Sequence, residues 1–159
     1  MIQLLLAAAL LSTPSVAVAA PITGGQYVAK AGASDQYEIQ SSKLVLATST
    51  NAKLRAFATQ MVKDHDQSTA DVKAAATAGH VKVGPPHLDA MGAANIAKLK
   101  AARGPARDTL YIAQQKKSHQ MALVVQQGYA DKGSVPPLKA AAIKIVPVVQ
   151  HHITELAAM

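Results

Sequence analysis

The chain has 159 residues, half of them hydrophobic and only 3% aromatic, with 16 Lys and Arg against 9 Asp and Glu for a formal charge of +7. It contains no cysteine, which excludes thiolate metal ligation, cysteine catalysis and disulfide stapling, so packing and any bound ion must supply the stability. The positive charge is strewn over Lys43, Lys53, Lys63, Lys73, Lys98, Lys116, Lys132, Lys139 and Lys144 without an aromatic platform between them, which argues against a nucleic-acid partner and leaves only weak attraction to anionic envelope surfaces.

The chain opens on an uncharged stretch in which Leu4 to Leu11 is apolar, of signal-peptide length and too short to span a bilayer. Ala17-Val18-Ala19 supplies the small residues that a signal peptidase requires, so cleavage is expected after Ala19. Residues 1–19 then form an export signal, and 20–159 form one domain of a periplasmic or extracellular protein.

Beyond Gly24-Gly25 the sequence is rich in strong helix formers, and almost nothing alternates with a period of two. Val28, Ala31, Asp35, Glu38, Ser42 and Val45 recur at helical spacing, predicting a first helix over roughly Gln26 to Thr48 that ends at Ser49-Thr50-Asn51. A second stripe runs Leu54, Ala58, Met61, His65, Ser68, Val72 and Ala76 with Phe57 beside it, and Gly79 closes it. Pro85-Pro86 forbids continuation. Leu88, Met91, Ile96 and Leu99 then form a shorter crossover helix, stopped by Gly104-Pro105. Pro105 suits the start of a third long helix with Asp108, Ile112, Gln115, His119, Ala122 and Gln126 on its inner row and Tyr111, Val125 and Tyr129 alongside. After Gly133, Pro136-Pro137 opens the last helix, whose face carries Leu138, Ala141, Ile145, Val149, His152 and Leu156, with Pro147 inside it and expected to bend it.

Four good metal ligands fall near the middle of the four long stripes: Glu38, His65, His119 and His152. The three histidines lie about 14 residues from the nearest helix ends and Glu38 about 11, so a rise of roughly 1.5 Å per residue places all four near one level. Imidazoles with a carboxylate in a helical core hold a single divalent transition metal, with Zn, Fe, Mn, Cu and Ni all admissible. Asp35 and Gln115, each one turn before a ligand, and Ser42 and Tyr111 are candidates to orient them. The competing reading is a metal-free polar network in which ionised Glu38 pairs with a protonated histidine. His80, His87 and His151 fall on loops or outward faces, and Asp64 and Asp66, flanking His65, are expected in solvent.

The segment Phe57-Ala58 through Met61-Val62-Lys63-Asp64-His65, then Asp108 with Tyr111 and His119, then Pro147 and Gln150 with His152, resembles an exported bacterial four-helix family of unknown function, ferritin-like in fold. The resemblance covers nearly the whole mature chain and implies an all-α ferritin-like four-helix bundle with a short extra crossover helix between long helices two and three. It also implies that Glu38, His65, His119 and His152 occupy the family's interior polar positions. Arg107 stands where such proteins carry a phenylalanine before Asp108. No activity comes with the resemblance.

Diiron oxidase chemistry requires about four glutamates and two Glu-x-x-His motifs. The chain has only Glu38 and Glu155, with Val62 and Val149 three residues before His65 and His152. Three readings follow: an exported bundle binding one transition metal as carrier, buffer or stress-protection protein; a metal-free periplasmic structural or interaction protein; and an enzyme with an open metal position. No nucleophile-base pair or phosphate loop supports the third.

Overall fold

The computed structural model describes residues 22–159 and is all-helical over them, with no strand among the described residues. The expected signal segment and its cleavage point lie outside the described residues. The helices are α1 (Gly24–Leu46), α2 (Ala52–Ala78), α3 (Ala90–Ala101), α4 (Gly104–Lys132) and α5 (Pro136–Ala157). None is long and apolar enough to cross a membrane.

Local chemistry sets the helix ends. Thr23 and Gln26 satisfy each other's backbone N–H groups in a capping box that starts α1. The Asn51 side chain accepts from Leu54 N at 3.1 Å to start α2, and Asp89 accepts from Gly92 N at 2.7 Å to start α3. Proline pairs with the first turns of α4 and α5, where a missing N–H does no harm. At the end of α2 the left-handed residue is His80, with φ 54°, and not Gly79. Glycine stands at 79 for a different reason: a Cβ there would meet Val135 Cγ1 at 2.5 Å, so the α4–α5 connection can approach only a bare backbone. Pro147 lies within α5, which runs through it unbroken.

Side-chain ties give the helix directions. Tyr27 bonds Gln126, Tyr37 bonds Gln114, Ser42 bonds Tyr111 and Ser49 bonds Asp108, at 2.7, 3.0, 2.8 and 2.7 Å. As α1 ascends, its partners on α4 descend, so the two are antiparallel. The α2–α5 pair is antiparallel as well, with Lys53 reaching Ala158 O at one end and Asp64 reaching His152 further along. Each long helix packs against two others in the cyclic order α1, α2, α5, α4, while α3 packs on α1 and α4. Parallel α2 and α4 oblige the chain between them to travel the length of the molecule.

The core has two apolar halves. Tyr27, Ala31, Val72, Tyr129, Leu138 and Ile145 belong to one, and Val45, Leu54, Phe57, Met61, Leu99, Tyr111 and Leu156 to the other. Tyr27 and Tyr129 stack with ring centroids 4.1 Å apart in the first half. Arg107 is buried at the edge of the second, its Nη1 donating to Thr48 Oγ1 at 2.8 Å and its Nε to Ala102 O at 3.0 Å. A guanidinium thus ties α4 to the end of α1. Between the halves lies a layer of buried polar groups: Asp35, Glu38, His65, Gln115, Ser118, His119 and His152.

Candidate metal centre

Three helices each send one imidazole into this layer. His65 from α2, His119 from α4 and His152 from α5 are 6%, 1% and 0% exposed, and each offers a ring nitrogen within 4.8 Å of the others'. The ring centroids are 5.8, 5.7 and 5.3 Å apart. At that burial every ring nitrogen must be accounted for.

The outward-facing nitrogens all meet acceptors. His65 Nδ1 lies 2.8 Å from Asp35 Oδ1, His119 Nδ1 lies 3.0 Å from the Gln115 carbonyl oxygen, and His152 Nε2 lies 3.0 Å from Asp64 Oδ2. A carbonyl oxygen and an ionised carboxylate can only accept, so these three nitrogens carry the protons. The remaining nitrogens, His65 Nε2, His119 Nε2 and His152 Nδ1, are then the inner positions of the rings, lone-pair ends wherever the ring is neutral. His119 Nε2 and His152 Nδ1 are 3.3 Å apart, and His65 Nε2 has no hydrogen-bond partner at all. Two bare acceptors at that distance repel unless something positive lies between them.

Charge chemistry agrees with neutral rings at two of the three positions. Burial, followed by the charge of His65, drives the proton affinity of His119 down to a pKa of about 3. Burial also lowers that of His152, against the opposing hydrogen bond from Asp64. For His65 burial again pulls downward, but the hydrogen bond and charge of Asp35, with Glu38 and Asp64 behind it, outweigh burial and the net shift is upward. Any proton the three rings share therefore resides on His65.

Glu38 does not join the three nitrogens as a ligand-distance oxygen. It reaches the correct level, but its Oε1 lies 3.8 Å from His119 Nδ1, behind the ring, and accepts from Ser118 Oγ at 2.7 Å. Its Oε2 is buried without a partner. Burial raises its proton affinity against the lowering effect of His65, Ser118 and Gln115. A group in that position borders the three rings without entering their common space.

Of the four residues expected to orient ligands, Asp35 does so for His65 and is itself fixed by Thr69 Oγ1 at 3.0 Å. Gln115 contributes through its backbone carbonyl, while its side chain donates to Ser41 Oγ at 3.1 Å. Ser42 and Tyr111 bond each other at 2.8 Å and touch no histidine. Asp64 was expected in solvent and is instead the acceptor for His152, its carboxylate also receiving Gln60 Nε2 at 2.8 and 2.7 Å. The α2 helix has two partners: His65 turns toward α1 and the neighbouring residue toward α5, which a single inward stripe hides. Ser118, holding Glu38, was likewise missed because it falls beside the predicted inner row of α4. His80, His87 and His151 are exposed, as expected.

A small cleft lies beside the layer, although the three imidazoles themselves are almost solvent-free. It measures about 90 Å³, enough for a few water molecules, and is lined between α2 and α5 by His65 and His152 together with Asp64, Ser68 and Lys144.

The chain belongs to the family defined by the domain of unknown function DUF4142, whose profile matches residues 11–159. It is similar to the crystal structure of a secreted protein, DUF305, from Streptomyces coelicolor, at 16% identity and a TM-score of 0.70 over 86% of this chain and 89% of that one. At that identity the likeness speaks for the fold alone. No curated protein matches the chain.

Proposed function

We propose that this DUF4142 protein is an exported helical bundle whose His65, His119 and His152 bind one divalent transition metal, making it a metal carrier, buffer or stress-protection protein. The observation that carries the reading is the hydrogen-bond pattern around the three rings. Each outer N–H is bound to an acceptor, so the inner nitrogen of every ring is left for a ligand, those of His119 and His152 as bare lone pairs and that of His65 once its extra proton leaves. Carboxylate or carbonyl support behind a ligating imidazole is the arrangement that fixes tautomer and raises ligand basicity.

The donor set narrows the choice of ion. Three imidazoles suit Zn, Cu, Ni or Fe, whereas Mn favours oxygen donors and fits least once Glu38 stands behind the ring. Asp35, Asp64 and Glu38 surround a divalent charge that the neutral ligands leave uncompensated. The up-down-down-up order of the long helices, with α3 in the long connection, supports reading the bundle as ferritin-like, and the two glutamates of the chain are too few for the iron-oxidising carboxylate set of such bundles. Export is supported by the amino-terminal sequence and by the secreted character of the structurally similar protein.

Elemental analysis of gently purified protein, with melting curves in the presence and absence of a chelator, tests the reading. One ion per chain and a melting temperature that falls on chelation are expected. A metal-free protein indifferent to both metal and chelator would instead favour a structural polar network.

A further inference from the structure

The three imidazoles do not surround their common space evenly. His65 and His152 line the α2–α5 cleft and His119 does not, so the ligand set is backed by α4 and has its nearest surface at the α2–α5 cleft, behind a thin covering that leaves the rings almost solvent-free. Two groups at that cleft lack partners: His65 Nε2, and the hydroxyl of Ser68, a residue 8% exposed on the turn of α2 after His65. A buried hydroxyl without a hydrogen bond is uncommon in a packed interior. This one belongs to a residue that lines the same cleft as His65 and His152. Lys144 of α5 stands on the same cleft, facing Asp64 and Asp71 of α2.

Resting on the metal reading above, we propose that the fourth coordination position faces this cleft, holds water, and exchanges it for a small monodentate anion that receives a hydrogen bond from Ser68 Oγ. Three protein ligands with one exchangeable position is the arrangement of reactive sites, in contrast to the closed four-ligand sites that serve structure alone. The exchange is a simple substitution: the metal–water bond breaks, the metal–anion bond forms, water leaves through the cleft, and no electron moves. All three protein ligands are imidazoles, so the anion would be the first charged group bonded to the ion itself; the cleft walls carry Asp64 and Asp71 as well as Lys144, so the attraction comes from the metal and not from the walls. The size of the cleft, about 90 Å³, restricts the ligand to a few atoms.

The test uses the full chain loaded with Co(II), whose visible absorption reports its coordination. Cobalt stoichiometry is measured first, and sodium azide is then titrated. A saturable spectral change is expected in the wild type. Ser68→Ala should weaken azide by about tenfold or more, the usual loss for one hydrogen bond to a charged group, with cobalt affinity unchanged. A bound cobalt spectrum that azide does not move would mean a closed fourth position and overturn the proposal while leaving the metal site intact. Azide binding equally well to the Ser68→Ala protein would overturn the role of the hydroxyl. Failure of cobalt to bind at all would refute the metal reading itself, and this proposal with it, and is recognised by the absent visible band.

Discussion

Replacing Asp64 with alanine separates an oriented ligand from a fortuitous histidine. In the wild type Asp64 Oδ2 takes the proton of His152 Nε2 at 3.0 Å, which leaves Nδ1 bare and aimed at the other imidazoles. Without the carboxylate, His152 is free to carry its proton on Nδ1 and donate it to His119 Nε2, 3.3 Å away, so a metal must first displace that bond. Loss of such outer support weakens metal binding by about 10- to 100-fold, or roughly 1.4 to 2.7 kcal/mol. The metal-free fold should suffer less: the Asp64 side chain is 20% exposed, and one hydrogen bond there contributes about 1 kcal/mol. Asp66→Ala provides the control, because it removes the same charge two positions away from a residue that is exposed. Zinc affinity measured by competition with a chromophoric chelator should fall for Asp64→Ala and stay within about twofold of wild type for Asp66→Ala. Equal affinities for Asp64→Ala and wild type would refute the tautomer argument.

Three further outcomes are expected. His65→Ala should lose bound metal and, with it, the stabilisation by metal; ion at about 100 times its Kd contributes about 2.7 kcal/mol, a rise of roughly 10 °C in Tm for a chain of this size that the variant should not show. Glu38→Gln should keep one ion per chain, since the group borders the rings without entering their common space, and should stabilise the metal-free protein at pH 8. The native fold raises the proton affinity of Glu38, so its favourable contribution is present at acid pH and lost as pH rises through the folded pKa; a neutral isostere removes that loss, and disappearance of the metal would contradict the assignment. In metal-free protein His119, held at about 3 against an ordinary 6.5, should make stability fall as pH drops through that interval, because the unfolded chain takes up a proton that the native ring refuses. His152 acts with the same sign and His65 with the opposite one, so the check is the difference between wild type and His119→Gln, and parallel melting curves across that range would count against it.

Much of this architecture was legible in the sequence because helical periodicity and proline or glycine punctuation speak directly about helices. The α2 stripe from Leu54 to Ala76 is the buried face residue for residue, and α1 buries each predicted inner position from Val28 to Val45. On α4 the expected row was slightly rotated: Arg107, Gln114 and Ser118 are buried, while Asp108, Ile112 and Ala122 are only partly so. A weakly amphipathic helix flanked by α1, α3 and α5 offers no single apolar stripe to read.

Level along the helices was also legible, and it brought His65, His119 and His152 together. What it could not supply was the azimuth of each side chain. Glu38 arrives at the right height but behind His119, and Asp64 reaches His152 only because α2 neighbours α5 as well as α1. The Gln115 carbonyl that sets the His119 tautomer belongs to the backbone, so no choice of side chain at 115 announces it. Those details depend on the cyclic order of the helices, which is a tertiary fact.

Crystals of protein purified without chelator, with diffraction recorded on both sides of the bound metal's X-ray absorption edge, test the central claim most directly. A single anomalous peak at coordination distance from His65 Nε2, His119 Nε2 and His152 Nδ1 is the predicted result. Featureless density there in protein grown with excess zinc, or a peak coordinated by the exposed His80, His87 or His151 instead, would contradict it.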